Sequence, residues 1–145
     1  MSNRIRVLIV CTGNSARSQM AEGLLRQEGG ARFAVESAGV AASFVRPEAI
    51  EVMNEIGIDI SNHRSKSTDE FVARPFDYVI TVCDNANQNC PVFPGPAERI
   101  HWDIDDPAAV TGEPEIKLRA FRDARNELQQ RLREFVEQTT KTVNE

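Results

Sequence analysis

Apolar and polar positions alternate along this chain in two different rhythms. Val7, Leu8, Ile9 and Val10 form an unbroken apolar run rich in β-branched residues, the pattern of a strand covered on both faces. It predicts a first strand over residues 4–10. Beyond Ser18 the period lengthens. Met20, Ala21, Leu24 and Leu25 fall on one helical face, which predicts a helix over residues 16–27. A second strand is expected over residues 33–37, closed by Ala38 and Gly39. Pro47 suits the first turn of a second helix, with Ile50, Met53 and Ile56 at helical spacing and Gly57 as its stop. Ser67 followed by Glu70 has the form of a capping box and predicts a short third helix. Residues 77–82 and 99–102 read as strands three and four. A long last helix starts near Pro114, with Ile116, Ala120, Phe121, Ala124, Leu128, Leu132, Phe135 and Val136 on its buried stripe.

Strands alternating with helices imply an α/β fold: a three-layer sandwich with a four-stranded parallel sheet and helices on both faces. The 145 residues suit one domain over 1–145, without internal repeat or linker. In such sheets ligands bind beyond the carboxyl ends of the strands. Cys11 follows strand one, Cys83 follows strand three, and the acidic stretch 103–106 follows strand four. Three chemically distinct groups are thus expected on one edge of the sheet.

Composition narrows the function. The net charge of −5 gives no sign of the basic face a nucleic-acid binder needs. No apolar run approaches the ~20 residues that span a bilayer, and the first residues lack a signal-peptide pattern. The expectation is a cytoplasmic protein without nucleic-acid or membrane partners, read as a monomer. Three cysteines is an odd number, which argues against a simple set of structural disulfides. In a reducing compartment such thiols are catalytic, metal-binding or inert.

The segment between strand one and helix one carries the chemistry. Five residues separate Cys11 from Arg17. Backbone N–H groups of a tight loop and of a helix N-terminus can converge on a tetrahedral oxyanion. Arg17 can grip two of its oxygens. The same positive field favours the thiolate of Cys11, the nucleophilic form. Gly13 and Asn14 tolerate the unusual backbone angles of such a cradle. The substrate-binding residues are therefore Thr12, Gly13, Asn14, Ser15, Ala16, Arg17 and Ser18. A core thiol at Cys11 with a surface charge at Arg17 is the plainer alternative.

Cys83 and Cys90 lie seven positions apart. On a helix that spacing separates them by about 10.5 Å along the axis, beyond the ~7 Å a disulfide allows. Asp84, Asn85, Asn87 and Asn89 are poor helix formers and Pro91 follows, so such a helix would melt easily. Two incidental cysteines in a polar loop remain an alternative. A metal site is disfavoured, because His63 and His101 show no ligand spacing with them; both histidines read as packing or capping residues, and Trp102 as core.

Taken together, CTGNSARSQMAE at residues 11–22, TVCD at 81–84, Asn89, Cys90 and Pro91, and His101 and Trp102 with Asp105, Asp106 and Pro107 resemble the thioredoxin-coupled arsenate reductases, which share the low-molecular-weight protein tyrosine phosphatase fold. The resemblance covers nearly the whole chain. It implies arsenate as substrate, thioredoxin as reductant, and no metal or organic cofactor. Cys11 would attack arsenic, Ser18 would hydrogen-bond its thiolate, and Asp106, directly before Pro107, would be the general acid rather than Asp105. Cys83 would then attack Cys11, and Cys90 would attack Cys83, leaving a Cys83–Cys90 disulfide. A phosphoester hydrolase is the alternative the same cradle serves. Against it, Ala108 stands where such phosphatases usually carry an aromatic residue. Two departures stand out. Ala16 replaces a further cysteine of many relatives. Asn14, Glu22 and Ser37 match residues that bind a potassium ion in some relatives, but the fourth position is Lys66, whose ammonium could replace the cation.

Overall fold

The computed structural model describes residues 4–95 and 97–144. Four parallel strands, β1 (Ile5–Cys11), β2 (Phe33–Gly39), β3 (Tyr78–Thr81) and β4 (Glu98–His101), lie in the order β2-β1-β3-β4. Register follows from the pairs Ile5↔Phe33 through Cys11↔Gly39, Val7↔Tyr78 and Tyr78↔Glu98. Val7, Leu8, Ile9 and Val10 are completely buried. Successive strand residues face opposite ways, so both faces of β1 are covered, as its apolar run predicts. Each such side chain contributes about 1.5–3 kcal/mol by leaving water.

The helices are α1 (Arg17–Gly29), α2 (Pro47–Asn54), α3 (Asp84–Asn89) and α4 (Pro114–Asn144). α1 packs on β1, β2 and α4, and α4 also reaches α2. Two arginines fasten that last contact: Arg125 donates to the Val52 carbonyl at 2.7 Å, and Arg122 forks onto Glu55. Phe121, Ala124, Leu128, Leu132 and Phe135 form the buried stripe of α4. Ile116 does not belong to it and is exposed, because the first turn of α4 precedes the helix's contact with the core; Ala120 and Val136 are half-buried. Phe135 collects Phe33, Tyr78 and Trp102 into one aromatic group.

Other elements shift slightly from expectation. β1 and β2 run on through Cys11 and Gly39 because the two strands remain paired there. α2 stops at Asn54, and Gly57 takes the left-handed angle that ends the turn. The expected third helix is one 3-10 turn, Thr68–Phe71. The Ser67 side chain caps the Asp69 N–H, and the Glu70 carboxylate pairs with Arg64. No helix of the described residues is long and apolar enough to cross a membrane.

The strand order reverses between β1 and β3: the chain leaves β1 for β2 on one side and returns to β3 on the other. A crevice opens at the carboxyl ends of strands on either side of such a switch. Cys11 ends β1, and Cys83 lies just beyond β3.

Candidate active site

The loop from Cys11 to α1 is shaped by where its carbonyls go. Cys11 O accepts from Val40 N, Thr12 O from Ala41 N, Gly13 O from Ser43 N, and Ser15 O from Arg46 N. Gly13 O also accepts from the Ser65 hydroxyl, and Asn14 O from Gln19 Nε2. These carbonyls thus point outward, toward residues 40–46, Gln19 and Ser65. Among the described residues there are no cis peptide bonds, so the N–H following each carbonyl points the opposite way. The N–H groups of Gly13, Asn14, Ser15 and Ala16 therefore face inward, and Asn14 N donates to Cys11 Sγ at 3.1 Å. The Ala16 N-cap gives α1 no side-chain cap, leaving its first-turn N–H groups to the same concavity. A strand-loop-helix unit of this form is a nest for a tetrahedral anion.

Asn14 takes the left-handed angle, φ 46°, while Gly13 does not. Gly13 serves close packing instead: a side chain there would press on the Ser43 and Ser15 hydroxyls. Gly39 is more constrained still. A Cβ on Gly39 would lie 2.5 Å from Thr12 O and 2.7 Å from Asn14 N. The end of β2 has to be bare for the cradle to close against it.

Beneath the loop is a buried polar network whose proton directions can be counted. Asn14 Nδ2 has two hydrogens. One goes to Ser18 Oγ at 2.8 Å and the other to Ser37 Oγ at 2.9 Å. Asn14 Oδ1 accepts from Lys66 N and Gln19 Nε2, which fixes the orientation of the amide. Ser37 then gives its own proton to Glu22 Oε1 in a short hydrogen bond. The proton of Ser18 is left for Cys11 Sγ, 2.8 Å away. The network thus aims a hydroxyl donor at the Cys11 sulfur.

Glu22 is the buried charge of this network. It meets Arg26 at 2.7 Å, Lys66 Nζ at 3.4 Å and His63 Nε2 at 3.7 Å. Lys66 Nζ also holds Glu36 at 3.0 Å. His63 Nδ1 lies 2.9 Å from Gln19 Oε1. Burial pushes the His63 pKa down, against the pull of Glu22 and with the help of Arg26 and Lys66.

The other predicted residues converge on the same edge. Arg17 Nη1 donates to Ile104 O at 2.8 Å, and its Nη2 is 3.7 Å from Asp106 Oδ2. Asp106 Oδ1 caps Ala108 N, which leaves Oδ2 facing Arg17. Cys83 is buried at the N-cap of α3, where Ala86 N donates to its sulfur, and Thr12 Oγ1 is 3.2 Å from the same sulfur. Cys90 is the half-buried C-cap of α3. Burial pushes its thiol up, with Arg99 opposing. All three cysteines are free. His101 bonds Thr81, and Trp102 is half-buried against Phe135.

The family model for low molecular weight phosphotyrosine protein phosphatases matches residues 6–145. The chain belongs to that family. Among its curated relatives, the arsenate reductase of Bacillus subtilis (strain 168) is 44% identical over 137 residues, 94% of this chain and 98% of that one. Among solved structures, an arsenate reductase in its oxidized state is similar at TM-score 0.77 and 32% identity, over 95% of this chain and 98% of the other. A thioredoxin-dependent arsenate reductase of Corynebacterium glutamicum is similar at TM-score 0.73 and 30% identity, over 98% of this chain and 65% of that one.

Part of the support for this cradle lies outside the loop that the sequence singles out. Gly39, Gln19 and the serines at 43 and 65 support the cradle, yet none stands in the Cys11–Ser18 loop. A glycine closing an apolar strand and a glutamine within the apolar face of α1 were the available signals. Among the described residues no three His, Cys, Asp or Glu side chains gather into a metal-holding cluster.

Proposed function

We propose that this chain reduces arsenate to arsenite, using Cys11 as nucleophile and thioredoxin as the final reductant. The observation that carries the reading is the arrangement of the three thiols. Cys11 sits in the anion cradle with the Ser18 hydroxyl on its sulfur. Cys83 borders the same loop through Thr12. Cys90 stands at the far end of the helix that Cys83 starts. A phosphatase uses only the first of these.

Arsenate would lie against the inward N–H groups and the Arg17 guanidinium. The Cys11 thiolate attacks arsenic, and an oxygen leaves as water after Asp106 donates a proton. The Cys83 thiolate then attacks Cys11 Sγ. The sulfur–arsenic bond breaks, its electron pair stays on arsenic, and arsenite departs. Cys90 attacks Cys83 in turn, forming the Cys83–Cys90 disulfide and freeing Cys11. Two electrons reach arsenic and two thiols are oxidised, so the step balances. A dithiol protein of the thioredoxin class restores the thiols by exchange.

Phosphoester hydrolysis is the second reading, favoured by the cradle and by Asp106 opposite Arg17. One experiment separates the two. Arsenite formation is measured with thioredoxin, thioredoxin reductase and NADPH, and phosphoester hydrolysis under the same conditions. Thioredoxin-dependent NADPH consumption on arsenate supports reduction. Phosphoester turnover without it would replace the proposal by the phosphatase.

A further inference from the structure

Arg99 is not used by the chemistry above, yet it stands at the end of the helix that must open. On β4, Arg99 and His101 share one face by strand alternation. Arg99 Nη2 donates to Asn87 O at 3.4 Å, on the last turn of α3. His101 bonds the Thr81 hydroxyl, which also reaches Asn87 Oδ1 at 3.4 Å. The sheet therefore grips the C-terminal end of α3 at Asn87, three positions before Cys90. β3 contributes the uncharged Thr81 there. β1 contributes the Cys11 end, and β4 contributes Arg99 with His101. Arg99 is the charge that acts on the Cys90 sulfur, against its burial.

We propose that Arg99 is a positioning residue for the third cysteine: its guanidinium holds the end of α3 in the reduced chain and serves as the counter-charge of the Cys90 thiolate that attacks Cys83. This rests on the three-thiol relay proposed above. The step itself is balanced. The Cys90 proton goes to solvent, its sulfur bonds Cys83 Sγ, the Cys11–Cys83 bond breaks, and the electron pair leaves on Cys11. Only the thiolate can make this attack. Half-buried Cys90 has little water to support its charge, so a guanidinium within a helical turn of it offsets part of that burial and favours the thiolate.

The test reads Cys90 directly. In a full-length chain carrying Cys11→Ser and Cys83→Ser, Cys90 is the remaining thiol, and its alkylation by iodoacetamide against pH gives its titration midpoint. Arg99→Gln should raise that midpoint by about half a unit to one unit, equivalent to roughly a three- to tenfold loss of thiolate near neutral pH. Arg99→Lys keeps the charge and should stay close to the parent. With all three cysteines present, Arg99→Gln should shift the pH profile of Cys83–Cys90 disulfide closure upward by a similar amount and leave arsenate consumption by Cys11 unchanged. An identical midpoint in Arg99→Gln, or an equal shift in Arg99→Lys, overturns the assignment. Wild-type steady-state turnover in Cys90→Ser would instead overturn the relay. Thermal melts of each variant establish that the chain is folded.

Discussion

At the residue scale, the proposed relay gives each thiol a separable role. Cys11→Ser should abolish arsenate consumption. Cys90→Ser should complete one round and then stop with a Cys11–Cys83 disulfide, visible by mass after proteolysis; sustained turnover would exclude the relay. The proposed mechanism places Arg17 and Asp106 in the first step. Arg17→Lys keeps a charge but loses the fork that holds Ile104 O on one arm and faces Asp106 on the other, so a loss of about 100-fold or more in kcat/KM is expected. Asp106→Asn should lower single-turnover rate more than binding; an unchanged rate would bring Asp105 forward. Lys66 carries a third expectation. Its ammonium already lies 3.4 Å from Glu22, so potassium at matched ionic strength should alter activity or melting by less than about twofold or a degree or two, as expected when no further cation binds. Strong potassium activation of the parent chain would contradict this, whereas Lys66→Ala should acquire it. These residues were legible because spacing and chemistry coincide in Cys11, Arg17, Cys83 and Cys90. Gly39 was not, because its constraint is a backbone contact with Thr12 and Asn14, far away in sequence.

At the scale of elements, the legible parts are those whose period is set by burial. The run Val7 to Val10 and the stripe through Phe121, Leu128 and Leu132 lie where their patterns put them, because one core buries both. Short elements are decided by a few local bonds, and there the pattern alone misleads. Residues 67–71 have a capping signature but only one turn to cap. The asparagine-rich α3 forms in spite of poor propensity, since Cys83 caps its start and Arg99 and Thr81 hold its end. Tertiary contacts override propensity here, and the poor propensity leaves the helix easy to give up once those contacts are broken. In the reduced chain the helix keeps Cys83 and Cys90 at opposite ends, about 10.5 Å apart by helical rise. Disulfide formation must therefore unwind it. Amide exchange across residues 84–89 should be faster in the oxidised chain than in the reduced one, with β1 and β3 little changed. Equal protection in both states, with the disulfide confirmed by mass, would rule the unwinding out.

For the whole molecule, the perturbed groups combine into a window of stability. His63 is pushed below its ordinary 6.5 chiefly by burial, with Glu22 opposing. As pH falls through 6.5 the unfolded chain takes up that proton while the folded one does not, so stability declines from there toward the folded value. Asp77 is pushed down by its hydrogen bond from Arg6, and Glu55 by its bond from Arg122. Both add losses of the same sign only lower, once pH passes their ordinary carboxylate range, and exposure keeps each one small. In the alkaline direction the sign reverses. Burial pushes Cys90 above the ordinary 9.0 and Tyr78 above 10.0. The unfolded chain releases these protons first, which favours unfolding as pH rises past 9.0. The melting temperature of the reduced chain should therefore hold level between about pH 6.5 and 9 and fall on both sides. Each arm has its own control. His63→Gln keeps a polar partner for Gln19 and cannot charge, so it should flatten the acid arm down to about pH 5, while Cys90→Ala should delay the alkaline fall toward the range of Tyr78. If the His63→Gln chain loses stability between pH 6.5 and 5 as steeply as its parent, the acid arm belongs to the carboxylate pairs and not to the half-buried imidazole beside Glu22.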